Sequence, residues 1–283
     1  MVLIAESGST KTQWRLLSLN QIESLVNTQG VNPVLLSSDE IEGVIRPVSA
    51  GIEATEIGAV YFFGAGCASK TAKEKIWKAI FNVFGCDNIV VDTDLIAACL
   101  SLAGDSPAMI GLLGTGSNSC LWNGREIAER VPSLGYILGD EGGGVSIGKQ
   151  LVSDFLKNQM PLNLRLKFIE KYDVSAEIAI ERVYQMPMPN RYLAGFAPFV
   201  EANIDDEYCR QLVQKQFSDF VVRNILQYRK HSDFEIHFCG SIAFSHQSIL
   251  IDICKSHDIR VGKIVKEPID DLTLYLKKKI MFG

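Results

Sequence analysis

Two short turns carry residue types suited to gripping phosphate. Ser7-Gly8-Ser9-Thr10-Lys11 follows an apolar run over 2–5, and Gly114-Thr115-Gly116-Ser117 follows a second apolar run over 109–113. Glycine lets a backbone approach an anion closely, and N–H groups and small hydroxyls supply donors without bulk. Lys11 adds a compact positive charge. Neither turn has the G-x-x-x-x-G-K-[ST] spacing of a P-loop, and neither opens a helix as a dinucleotide-binding turn does. Each alone also reads as an ordinary hairpin connection; their recurrence at matching places points to phosphate. Asp94 is a third candidate. It sits at a strand exit and a helix start, where the helix dipole favours an ionised carboxylate able to accept a proton. The same place suits a helix N-cap, a duty for which Asp92 and Thr93 compete.

The elements that must hold these residues come in two rounds. Strands are expected over 2–5, 14–17, 23–27, 59–63 and 89–91. Ser38-Asp39 can cap a helix reaching towards 48, and 70–84 has helical periodicity with Ile76, Trp77, Ile80, Phe81 and Phe84 on one side. An apolar helix follows Asp92-Thr93-Asp94 to about 102. The pattern then restarts with strands over 109–113, 119–122 and 126–129, the last two joined at Asn123-Gly124. A long helical region over 145–229 is interrupted near Met186-Pro187-Met188-Pro189, and strands over 235–239 and 260–265 close the chain around one more helix. A repeated unit of this kind gives an α/β fold of two duplicated domains with a cleft between them. The join falls near Gly104-Asp105-Ser106-Pro107. The domains are then 1–105 and 106–267, with a terminal helix over 268–283 able to rejoin the first.

Composition agrees with a globular chain and narrows its partners. The 283 residues are 47% hydrophobic and 22% charged, with a formal net charge of −5. A nucleic-acid binder needs a basic footprint, and the one dense run, Lys277-Lys278-Lys279, reads as a solvated last helical turn. No apolar stretch approaches the roughly 20 residues of a membrane span, and no secretory signal is expected. The seven cysteines (67, 86, 99, 120, 209, 239 and 254) form no C-x-x-C pair. They read as small core residues in a cytoplasmic protein.

The paired turns resemble the phosphate-binding loops of the actin, heat-shock-70 and hexokinase superfamily. Closer still is the likeness to the N-acetylglucosamine kinases and their relatives, the activator ATPases of benzoyl-CoA reductase and 2-hydroxyacyl-CoA dehydratase. It rests on Ser7-Gly8-Ser9-Thr10-Lys11, Gly30-Val31-Asn32-Pro33, Thr93-Asp94, Gly114-Thr115-Gly116-Ser117-Asn118, Leu138-Gly139-Asp140-Glu141-Gly142 and Gly240-Ser241-Ile242-Ala243. The order and spacing of these six motifs span nearly the whole chain.

The resemblance implies two ribonuclease H-like, actin-like ATPase domains and an ATP-dependent kinase acting on N-acetylglucosamine or a related amino sugar. It implies Asp94 as the catalytic base, with Ser9, Thr10, Lys11, Thr115 and Gly116 on the phosphates and Gly240 and Ser241 flanking the adenosine. Asn32, Asn118 and Asp140 then carry the sugar, whose hydroxyls suit amide and carboxylate partners. Without the resemblance, Gly240-Ser241 is a strand-to-helix turn, and Asp140-Glu141 is a flexible turn capping the next helix. Mg2+ is implied with the ATP, held through water by Glu6, and homodimers are common in the family. Two positions depart from its pattern. Glu6 stands where aspartate is usual, and Gln13 stands where close relatives often have aspartate. They leave open a nucleotide- or sugar-binding protein with impaired catalysis. An activator-type ATPase working on a partner enzyme is the other alternative, but its cluster-binding cysteine motif has no counterpart here.

Overall fold

The computed structural model describes residues 1–18, 21–50, 52 and 57–282. The chain divides into two units, Met1–Ser106 with Glu267–Gly283, and Pro107–Lys266.

In the first unit β1 (Val2–Ser7) runs antiparallel to β2 (Lys11–Leu17), with Glu6 opposite Gln13 and Ser7 opposite Thr12. β5 (Ala59–Gly64) lies parallel to β1, and β6 (Ile89–Thr93) lies parallel to β5. On the other side β3 (Ile22–Ser24) extends the sheet in the order β3-β2-β1-β5-β6, and β4 (Thr28–Gln29) pairs with the start of β2. Leu3, Ile4, Ala5 and Trp14 are fully buried, as expected of central strands covered on both faces.

The helices differ from expectation in instructive ways. α1 (Ser38–Ile45) is capped by Ser37, not by Ser38 or Asp39. Ser37 accepts from the Glu40 N–H while Glu40 accepts from the Ser37 N–H, a reciprocal capping box. α1 stops short of 48 because Pro47 directs a 3₁₀ turn, Arg46–Ser49. The strand expected over 23–27 is instead β3 followed by β4. α2 (Lys70–Phe84) buries Ile76, Ile80 and Phe84, but Phe81 is 41% exposed and stacks on Trp77 with centroids 5.2 Å apart. α3 is Asp94–Leu102. The C-terminal helix α13 (Ile269–Phe282) packs Ile269, Leu272 and Leu276 on Ile4, Leu17, Phe63 and Ala97. Arg15 Nε donates to Asp270 at 2.8 Å, and Asp105 receives both Tyr275 Oη and Lys279 Nζ at 2.9 Å.

The second unit repeats the strand plan. β7 (Ala108–Leu113), β8 (Ser117–Trp122) and β9 (Ile127–Glu129) form an antiparallel run. β10 (Ile236–Cys239) and β11 (Val261–Val265) add in parallel on the far side of β7, in the order β11-β10-β7-β8-β9. The duplicated α/β arrangement read from the sequence is therefore present. The region over 145–229 is not one long helix with a single break. It is α5 (Gly144–Leu156), α6 (Leu162–Lys171), α7 (Ala176–Tyr184), α8 (Pro189–Ala194), α9 (Ala197–Ala202) and α10 (Glu207–Arg223). New starts are set by Pro161 before α6 and by the Ser175 and Asp206 caps of α7 and α10. The pieces close on an aromatic cluster in which Phe168 meets Phe155 at 4.6 Å, Phe199 at 5.2 Å and Phe196 at 5.7 Å. Between β9 and α5 lies the short α4 (Gly135–Leu138), and β10 and β11 are joined through α11 (Ser241–Ser245) and α12 (Gln247–Ser256). No helix among the described residues is long and apolar enough to cross a membrane.

Candidate functional site

The first glycine turn is a tight β1–β2 corner, closed by the Gly8 N–H on the Lys11 carbonyl at 3.0 Å. Its hydroxyls brace it from within. Ser7 Oγ lies 2.7 Å from Thr12 Oγ1 and accepts the Val31 N–H at 2.9 Å, while Thr12 Oγ1 donates to the Gln29 carbonyl at 3.0 Å. The Gly30 N–H reaches the Thr10 carbonyl at 2.9 Å. A Cβ on Gly30 would stand 2.4 Å from the Gly8 carbonyl oxygen, so only glycine allows the two segments this close. That contact joins the Gly30-Val31-Asn32-Pro33 segment to Ser9 and Thr10. Asn32 Oδ1 accepts the Val34 N–H at 3.0 Å, and its amide lies against Gly66.

Asp94 stands at the end of β6, the strand next to β5. It is not the helix cap: Thr93 caps α3 by accepting the Ile96 N–H, and Asp92 pairs with Lys73 at 2.9 Å. Asp94 Oδ1 accepts the Leu95 N–H at 2.9 Å, which fixes the carboxylate at the helix entry. Glu6, at the end of β1, has its carboxyl pushed up to about 8, first by burial and then by the negative charges of Asp94 and Glu267, with Lys11 opposing. Glu6, Asp94, Lys11 and Glu267 thus share one electrostatic neighbourhood within the first unit. The Lys11 ammonium is ion-paired with Glu267. Across the strand pair from Glu6, Gln13 is 6% exposed and its Oε1 has no hydrogen-bond partner among the described residues.

In the second unit the corresponding corner is held by α5. The Gly144 and Val145 N–H groups donate to the Gly114 and Thr115 carbonyls at 2.8 Å. Asp140 Oδ1 accepts the Ser117 N–H at 3.0 Å and would be struck by a Cβ on Gly116 at 2.6 Å. Asp140 therefore belongs to the glycine turn. It does not cap α5, whose N-cap is Gly143. It holds φ 61°, a left-handed backbone that aspartate tolerates. Its carboxyl is raised by burial, an effect the Ser117 N–H opposes. Asn118 Oδ1 accepts the Ser119 N–H at 3.0 Å and Arg130 Nη2 at 3.4 Å. Gly240, at φ 122°, would place a Cβ 2.3 Å from the Leu113 carbonyl. The Gly240-Ser241 turn is thereby pressed onto the strand end that leads into Gly114.

Comparison with known proteins adds a family. A Porphyromonas gingivalis protein, provisionally named an N-acetylglucosamine kinase, is 40% identical, with a TM-score of 0.91 over 99% of this chain and 100% of its own. The chain belongs to the N-acetylglucosamine kinase family. A similarly named protein from Chromobacterium violaceum is 17% identical, with a TM-score of 0.74 over 97% of this chain and 98% of that one. A ROK-family glucokinase from Streptomyces griseus, solved with glucose and AMPPNP, is 12% identical with a TM-score of 0.52 over 99% and 98% of the two chains. These two likenesses show the actin-like ATPase fold. No protein-family model matches the chain, and no curated protein matches it.

The structure places Lys11 with Glu6 and Asp94, and Ser9 and Thr10 against Gly30, in the first unit; in the second it places Gly116 against Asp140 and Gly240 against Leu113 and Gly114. It also shows participants that the motifs do not name. Glu267 has no motif around it, and only the three-dimensional return of α13 reveals it as the partner of Lys11. Gly66, behind Asn32, and Gly143, whose Cβ would lie 2.7 Å from the Gly116 backbone, are packing positions; the glycine run after Glu141 was the one available signal.

Proposed function

We propose that the chain is an ATP-dependent, Mg2+-assisted kinase that phosphorylates N-acetylglucosamine or a related amino sugar in the cytoplasm. The observation that carries this reading is the recurrence of one strand order in both units, each with a glycine-and-hydroxyl turn at the same corner, in a chain of this family. Thr10, Lys11, Thr115 and Gly116 are assigned to the phosphates, Gly240 and Ser241 to the adenosine, and Asn32, Asn118 and Asp140 to the sugar. With Oδ1 of Asn32 engaged by Val34, that side chain offers its NH2 to a sugar oxygen.

Asp94 is assigned as the base. Its carboxylate takes the proton of the attacking sugar hydroxyl as the oxygen closes on the γ-phosphorus, and the bond to the ADP oxygen breaks. The residues around Glu6 fit a hydrated cation. Glu6, Asp94 and Glu267 share one neighbourhood with a single lysine, and the like charges that help raise Glu6 are of the kind a divalent cation would relieve. Among the described residues no group of three or more His, Cys, Asp or Glu could hold a metal directly, and Mg2+ characteristically keeps several waters. Glu6 would hold it through those waters, and the ion would offset charge on the β- and γ-phosphates.

All seven cysteines are buried and form no disulfide among the described residues, which suits a reducing compartment. Their burial also disfavours the activator-ATPase alternative, since a cluster shared between subunits needs thiolates at a surface. The test is coupled ADP release over a panel of N-acetylglucosamine, N-acetylmannosamine, glucosamine and glucose. Sugar-dependent turnover, highest with an amino sugar, is the expected result. Nucleotide binding with no sugar-dependent turnover would instead select the catalytically impaired binding protein.

A further inference from the structure

Lys11 already has an anionic partner before any nucleotide arrives. Its ammonium is paired with the carboxylate of Glu267, where the chain re-enters the first unit just ahead of Pro268 and α13. This pair is not needed to fasten α13. The helix is held by the buried Ile269, Leu272 and Leu276, by Arg15 on Asp270 and by Tyr275 and Lys279 on Asp105. The side chains of Lys11 and Glu267 are 47% and 34% exposed, and ion pairs that wet add little to stability. The pair matters for charge. Lys11 is the cation of the first phosphate turn, and a triphosphate can use it only by taking it from a carboxylate.

We infer that Glu267 is the resting counterion of Lys11, a positioning residue that keeps the ammonium at the β1–β2 corner and that the nucleotide's anionic tail displaces. The assignment rests on the kinase reading of Lys11. Glu267 thereby sets nucleotide affinity below what the two turns alone would give, because binding must break one ion pair to make another and must seat the phosphates beside the displaced carboxylate. Weaker nucleotide binding favours release of ADP after transfer, and product release limits turnover in many enzymes.

The test is calorimetric titration of AMPPNP into the whole protein, wild type and Glu267→Gln, with Mg2+ and separately with EDTA. Glu267→Gln is expected to bind roughly three- to ten-fold tighter in both buffers, with an unchanged melting temperature. The KM for ATP should fall more than kcat changes. Glu267→Asp, whose carboxylate is one methylene further from Lys11, should fall between the two. Affinity that is unchanged or weaker in Mg2+ overturns the assignment; tightening only in EDTA also overturns it and makes Glu267 part of the metal's water shell. A wild type that binds no AMPPNP in Mg2+ refutes the kinase reading itself, and the assignment with it.

Discussion

Replacing Glu6 by glutamine should stabilise the nucleotide-free protein, and by more as the pH rises. Glu6 is raised from 4.5 to about 8 by burial, by Asp94 and by Glu267. In the folded chain it therefore keeps a proton, between those two values, that the unfolded chain gives up. The folded state binds more protons across that window, so wild-type stability falls as pH climbs from about 4.5 to about 8 and levels off above it. At about 1.4 kcal/mol per unit, the full shift corresponds to about 5 kcal/mol against the ionised form. Glu6 keeps some contact with solvent, so about 2 kcal/mol is the expected difference. Glutamine has the same size and no charge to lose. Urea unfolding in EDTA at about pH 5 and about pH 9 should show the Glu6→Gln advantage growing by that amount. A gap between the two proteins that stays constant with pH would refute the reasoning.

Asp94→Asn should keep nucleotide binding, because Thr93 caps α3 and the amide oxygen can still accept the Leu95 N–H. Single-turnover phosphorylation should fall by roughly 10²–10⁴. Gly30→Ala drives a methyl towards the Gly8 carbonyl and the Ser9 backbone; it should cost about 1–3 kcal/mol in unfolding and weaken AMPPNP binding measured by calorimetry. Gly43→Ala is the control, since a Cβ there meets nothing within 4 Å inside α1; it should raise stability by about 0.5–1 kcal/mol in the same urea assay.

The parts of the fold legible in the sequence are those where the pattern is local. The apolar runs of β1, β5 and β7 are buried from both sides, so their hydrophobicity is continuous and their ends are marked by glycine. α2 and α3 carry their serine and threonine caps, Ser69 and Thr93, in the preceding residue. The α1 cap lies one residue before Ser38 because Ser37, Ser38 and Asp39 all suit the role, and both Ser37 and Asp39 have a glutamate three residues on; the box that forms is Ser37 with Glu40. Phe81 does share a side of α2 with Trp77, on which it stacks, but periodicity cannot say how wide the buried stripe is, and Phe81 is exposed at its edge. The candidate site was legible where it is built from turns and illegible where it is built from returns. Glu267 lies 256 residues from Lys11 in sequence, and no local signal carries a partner over that distance.

The two departures at Glu6 and Gln13 become one feature once the register is known. They stand directly opposite each other on β1 and β2, where side chains on a shared face have Cβ atoms about 4.5–5.5 Å apart. A carboxylate at position 13 would place a fourth acid beside Glu6, Asp94 and Glu267, with Lys11 as the opposing charge. Glu6 is already pushed towards neutrality, and a further like charge would push it higher and leave it a poorer partner for a hydrated cation. A glutamine avoids that repulsion and keeps a carbonyl oxygen in the same place. Its Oε1 is fully buried and has no donor among the described residues, so what the side chain brings to this place is the absence of charge. The neutral residue at position 13 thereby keeps Glu6 from being pushed further towards neutrality.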